Sequence, residues 1–93
     1  MPEDTVLTRA FSGRAGRSIA TRYVLAAAEH SAPSPAAYPI QRGLTAAMRK
    51  DAAQTGDLDR MQAWAGQSAS LASNEPAAAL LRRIWAEARL LLP

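Results

Sequence analysis

Cysteine is absent from this 93-residue chain, which removes disulfide frameworks, thiolate nucleophiles and cysteine-ligated metals from consideration. Histidine occurs once, as His30, and lysine once, as Lys50. A metal centre or a nucleophile–base pair needs several converging groups, and His30 has only Glu29 beside it. No catalytic residue and no metal-ligand set is therefore expected, and His30 reads as a surface residue at a helix end. No run approaches the roughly 18 consecutive apolar residues of a membrane span. The acidic opening Met1-Pro2-Glu3-Asp4 lacks the basic and apolar regions of a secretory signal. A soluble, cytoplasmic chain without membrane contact is the expectation.

Bulky apolar side chains are also few. The chain is 48% hydrophobic, but 22 of those 45 residues are alanine, and Leu, Ile, Val and Phe together number 16. Alanine has high helix propensity but little area to bury. A single mainly α segment spanning residues 1–93 is expected, with a thin core that gains from docking onto something larger. The net charge of +3 comes from ten Arg and one Lys spread among eight acids. This small excess disfavours nucleic acid as a partner, although Arg9, Arg14, Arg17 and Arg22 follow one another with no acid between Asp4 and Glu29.

Spacing and punctuation predict about four short helices with at most one short N-terminal strand. Thr5 to Phe11 is β-branched and partly alternating, a strand without an obvious partner. A helix is expected from about Arg17 to Glu29, with Ile19, Tyr23, Ala26 and Ala27 on one face, ended by Pro33 and Pro35. A second runs from Gln41 or Leu44 to Gln54, with Gly56 placed to terminate it. Asp57 then caps a third, from Leu58 to about Leu71. Gly66 falls inside that helix, where glycine implies a close backbone approach or a break. Asn74 is placed to cap a last helix with Pro76 in its first turn. Its apolar stripe is Ala77, Leu80, Leu81, Ile84, Trp85, Ala88, Leu91 and Leu92. Trp64 and Trp85 occupy core-compatible helical positions, where burial is the ordinary outcome.

One stretch has the character of an anion site, Ser12-Gly13-Arg14-Ala15-Gly16-Arg17-Ser18. Its small residues leave N–H groups open ahead of a helix, and Arg14 and Arg17 supply charge. It lacks the lysine and spacing of a P-loop and does not match G-x-G-x-x-G. A structural turn built on Ser12, Gly13, Arg14 and Arg17 explains it equally well. Gly13-Arg14-Ala15-Gly16 meets the minimal G-x-x-G of a KH loop, but the strand pattern of that module is missing.

Three blocks occur in a specific order: Asp4-Thr5-Val6-Leu7-Thr8-Arg9-Ala10-Phe11-Ser12-Gly13-Arg14, then Tyr38-Pro39-Ile40-Gln41 with Leu44-Thr45 and Arg49, then Trp64-Ala65-Gly66-Gln67. Together, and continuing through Glu75-Pro76-Ala77-Ala78 into the last helix, they resemble the C-terminal region of nitronate monooxygenases, formerly called 2-nitropropane dioxygenases. The chain departs from the family pattern at Ala15-Gly16, where Pro-Ala is common, and at Arg42-Gly43, where Asn-Ala is frequent, so no ligand role is carried onto Ala15 or Gly16.

The resemblance implies a TIM-like barrel flavoenzyme that binds FMN and oxidises alkyl nitronates with O2 to a carbonyl compound and nitrite, without a metal. This chain corresponds to the helical segment over the barrel mouth. Such a barrel takes about 250 residues, so the resemblance places the catalytic histidine and the FMN-phosphate loops outside these 93. His30 does not occupy the motif of the family base. FMN is implied for the intact enzyme and none for this chain alone, whose implied partner is the FMN-binding barrel portion. Tyr38, Trp64, Gly66 and Gln67 become candidates for facing the pocket or for docking on the barrel. Related flavin barrels include enoyl reductases and NADH:quinone reductases, but the blocks look most like the nitronate branch. The alternative from another class is a small basic helical module that binds a protein or nucleic acid through Arg9 to Arg22.

Overall fold

The structure, a computed structural model, describes residues 4–93, so the expectation drawn from the acidic opening falls mostly outside the described residues. The chain starts with a hairpin. Strand β1 (Thr5–Thr8) pairs antiparallel with β2 (Gly16–Ile19), setting Thr5 opposite Ile19 and Thr8 opposite Gly16. The partner for the N-terminal strand is therefore the stretch expected to open the first helix. Arg17, Ser18 and Ile19 satisfy their backbone groups in the ladder, and helix α1 (Arg22–Ala27) begins only after it. Ladder pairing with the β-branched strand β1, including the Thr5–Ile19 pair, outweighs the modest helical preference of these positions. The first amide of α1 is capped from a distance, because Arg22 N–H donates to the Asp59 carboxylate at 3.3 Å.

The Pro/Ala/Ser stretch then leads through a cis Tyr38–Pro39 peptide to α2 (Ile40–Leu44) and α3 (Ala46–Thr55). The single helix expected here is present as two, joined at buried Thr45, whose hydroxyl donates to the Phe11 carbonyl at 2.7 Å. Gly56 ends α3 in the left-handed region at φ 71°, as expected. Asp57 also caps as expected, its carboxylate accepting from Asp59 N–H at 3.1 Å, but the helix it caps is a single 3-10 turn, Leu58–Arg60.

The expected helix from Leu58 to Leu71 does not form. Residues 61–65 run extended along the open edge of β2, where Trp64 bridges Ser18. Ile19 N–H donates to Ala63 O at 2.9 Å, and Ala65 N–H to Arg17 O at 3.0 Å. Two cross-strand bonds there compete with a helix that would hold glycine in its interior. A second single turn, Ala69–Leu71, precedes α4 (Ala77–Leu91). Pro76, not Asn74, is the residue at its N-terminal boundary, with no side-chain cap bond.

The architecture is mainly helical with one short strand pair. Its core is centred on Phe11, which is fully buried and joined by Ala10, Val24 and Ala52. The Phe11 ring meets Tyr23 at 5.1 Å and the Trp64 indole edge-on at 5.6 Å. No residue of α4 is buried, and Trp85 within its apolar stripe is 59% exposed. The accessible surface is 7072 Å2, against about 5,200 Å2 for a folded monomer of this mass. The radius of gyration, 17.0 Å, likewise exceeds the roughly 12 Å of a compact 93-residue domain. The fold thus leaves an apolar face uncovered.

Candidate functional site

The turn between β1 and β2 organises the conspicuous side chains. Gly13 sits at φ 91°, and a Cβ built on it would lie 2.5 Å from both Ala36 O and Tyr38 N. Residues 36–38 therefore cross directly over its α-carbon. At Gly16 the same test meets the Trp64 ring, at 2.8 Å from Cζ3. The two glycines of Gly13-Arg14-Ala15-Gly16 thus form the floors on which the Tyr38 segment and the Trp64 indole rest. Tyr38 and Trp64, 26 residues apart in sequence, meet the same four-residue turn. They are 43% and 46% exposed, so each keeps ring surface free for another molecule. The Arg14 guanidinium stacks over the Tyr38 ring at 4.1 Å, a cation–π contact.

Beneath this edge lies a polar hub. The Ala10 carbonyl accepts from the Tyr23 hydroxyl at 2.7 Å and from Gln41 Nε2 at 2.9 Å, while Gln41 Oε1 accepts from Ala36 N–H at 2.9 Å. Thr45 holds the next carbonyl, that of Phe11. Sequence reasoning did not single out Tyr23, Gln41 or Thr45 as a group. The available signal was their placement, with Tyr23 on the apolar face of its helix and Gln41 and Thr45 one helical turn apart.

Burial pushes the Tyr23 phenol above its ordinary value of 10.0, the neighbouring Gln41 amide pulling partly the other way. A raised folded-state value means that this contribution is complete below pH 10 and is lost as pH rises through the folded value. Alkaline titration followed by circular dichroism is expected to show a loss of stability beginning above pH 10. Tyr23→Phe should lower stability at neutral pH by about 0.5–1.5 kcal/mol and diminish that alkaline loss; an unchanged alkaline profile in the variant would exclude Tyr23 as its source.

The Ser12–Ser18 segment is held by bonds within the chain. Gly13 N–H donates to Arg9 O at 2.9 Å, Arg14 N–H to Ser12 Oγ at 3.2 Å, and the Arg17 guanidinium to Thr5 Oγ1 at 3.1 Å. A flavin phosphate needs several free, converging donors. The bonds observed here are those of the structural turn expected for Ser12, Gly13, Arg14 and Arg17.

The remaining candidates are scattered. Gly66 and Gln67 are both exposed beyond Trp64, and an added Cβ at Gly66 meets nothing within 4 Å, so of the close approach or break expected there the structure shows the break. The burial expected of Trp64 and Trp85 is likewise not observed. Trp64 is pinned by one face to Gly16, and among the described residues none buries a residue of α4. His30 is exposed in the turn after α1. Among the described residues no group of three or more His, Asp or Glu is placed to hold a metal ion, and no helix is long and apolar enough to cross a membrane. Two open apolar grooves of about 490 and 600 Å3 flank α1, the first under Val6 and Leu25, the second between Tyr23, Pro33 and Met48.

Comparison with known proteins accounts for the ordered blocks. A family model for nitronate monooxygenase matches residues 2–87. Over 81 residues the chain is 41% identical to probable nitronate monooxygenases of Staphylococcus aureus strains Newman and JH9, covering 87% of this chain and 22% of each relative. A solved structure of nitroalkane oxidase from Streptomyces ansochromogenes matches with a TM-score of 0.75 and 39% identity, over 99% of this chain and 26% of that one. The chain belongs to the nitronate monooxygenase family. It spans about a quarter of the length of these relatives.

Proposed function

We propose that this chain is the C-terminal segment of a cytoplasmic, FMN-dependent nitronate monooxygenase, and that it acts only when seated on the FMN-binding barrel portion. The whole enzyme would oxidise alkyl nitronates with O2 to a carbonyl compound and nitrite. The observation that carries this reading is the uncovered surface. The excess of about 1,900 Å2 over a compact chain of this mass is more than twice the roughly 800 Å2 that one partner contributes to a standard interface. A chain that matches its relatives almost end to end, yet spans a quarter of their length, has an obvious source for the missing cover. In this reading Tyr38 and Trp64 face the flavin pocket from the Gly13–Gly16 turn, Gly66 and Gln67 lie at its rim, and α4 supplies the main apolar seat.

The test compares the 93-residue protein alone with the same protein mixed with, or fused to, the barrel portion of a family relative. Alone it is expected to show no flavin absorbance and no nitrite release; joined, it should restore both to a barrel lacking its own C-terminal segment. Flavin co-purifying with the isolated chain, or a barrel indifferent to its addition, would overturn the proposal.

A further inference from the structure

The Gln41 side chain ties the stretch just ahead of α2 to the turn after β1, which lies 31 residues earlier in the chain. Its Oε1 accepts from Ala36 N–H at 2.9 Å, its Nε2 donates to Ala10 O at 2.9 Å, and its own backbone lies in the first turn of α2. Ala36 and Ala10 belong to the two stretches that meet at Gly13, where Ala36 O and Tyr38 N lie against the α-carbon. A carboxamide is suited to this junction because it offers one acceptor and one donor in a fixed plane. A carboxylate could accept from Ala36 but would set a second acceptor against the Ala10 carbonyl. An aliphatic side chain would leave both groups without this partner.

The two donors to Ala10 O are not equivalent. Tyr23 reaches it from α1 and ties down only the turn after β1. Gln41 reaches it while also gripping the 36–38 segment, so Gln41 alone of the two couples Tyr38 to the turn that carries Arg14. The Arg14–Tyr38 stack at 4.1 Å is formed by exposed side chains and is worth little by itself. Its persistence depends on whether the two backbones stay in register.

We infer that Gln41 is the positioning residue of the Arg14–Tyr38 edge: its amide clamps the 36–38 segment across Gly13 and so holds the Tyr38 ring beneath the Arg14 guanidinium. The significance of that edge for turnover rests on the proposed reading of Tyr38 as a pocket residue. The clamp itself does not rest on it. It is therefore tested on the chain's own resonances, without flavin or substrate, so that the clamp can fail while the enzyme reading stands, and the reverse.

The experiment is carbon-resolved proton NMR on the 93-residue protein and on Gln41→Leu, Gln41→Glu and Tyr23→Phe. In the parent, the Arg14 δ protons are expected upfield of a free arginine, in the shielding cone of Tyr38, and the Phe11 ring protons upfield through Tyr23 and Trp64. Gln41→Leu should return the Arg14 signals to the free position while the Phe11 signals stay displaced. Gln41→Glu should produce a partial return that grows as the carboxylate ionises. Tyr23→Phe should leave Arg14 where it is. Arg14 at the free position in the parent, Arg14 unmoved in Gln41→Leu, or an equal loss in Tyr23→Phe overturns the inference. So does simultaneous loss of the Phe11 displacement in both Gln41 variants, which would make Gln41 a general folding residue.

Discussion

Replacing Gly13 by alanine is expected to remove most of the chain's stability. The methyl group would stand 2.5 Å from Ala36 O and Tyr38 N and 2.8 Å from Ala37 C, all backbone atoms that cannot swing aside. The residue would also have to hold φ at 91°, which L side chains rarely adopt. Steric and conformational terms together should exceed about 3 kcal/mol. A 93-residue domain commands roughly 5–14 kcal/mol in all, and a core as small as this one belongs at the lower end. Denaturant titration followed by circular dichroism should show the loss directly. Gly43→Ala is the matched control, since Gly43 lies inside α2 with open space around it. It should raise stability by about 0.4–1 kcal/mol through higher helix propensity and a less flexible unfolded chain. Equal, small effects at the two positions would refute the crossing described at Gly13.

The second large effect is expected at Phe11. Its ring is fully buried and carries the contacts to both Tyr23 and Trp64, so Phe11→Ala should cost about 3–5 kcal/mol. Trp64 should become more exposed, which its fluorescence would report as a red shift. The revealing comparison is Trp85→Ala. Trp85 is a larger ring than Phe11, yet it is 59% exposed on a helix with no buried residue, and its removal should change the stability of the isolated chain by no more than about 0.5 kcal/mol. Measured instead as binding to the barrel portion of a relative, the ranking should invert if α4 is the seat, with Trp85→Ala weakening association severely. A Trp85→Ala chain that destabilises alone but binds normally would contradict both the exposure and the proposed role of α4.

These two residues also mark the limits of sequence reading here. The helix stop at Gly56 and the capping role of Asp57 were legible, because each acts through its own backbone or that of a residue two positions away, whereas the cap expected at Asn74 is not made. The apolar stripe of α4 was legible for the same reason, since helical spacing is a local property. The stretches Arg17–Ile19 and Met61–Ala65 were misread as helix because their backbone partners lie outside any local window. Ser18 pairs with Val6 on one side and Trp64 on the other. A periodicity that suits a helix carries no information about a strand edge arriving from 46 residues away.

The candidate site divides along the same line. Tyr38, Trp64 and the Gly13–Gly16 turn were each conspicuous as residues, and their order along the chain was enough to identify the family. Their meeting was not visible, because it depends on two glycines accepting different segments on adjacent floors and on Gln41 and Thr45 fastening carbonyls more than 30 residues earlier. By itself the sequence determined composition, the helix stop at Gly56, the absence of a cysteine or multi-histidine chemistry, and ancestry, all of which depend on residue identity and near neighbours. Only the tertiary structure decided that the N-terminal strand has a partner, that Trp64 lies on Gly16 beside a sheet edge, and that α4 is uncovered. Those facts depend on which distant backbone groups and surfaces satisfy one another, and local propensity does not encode that choice.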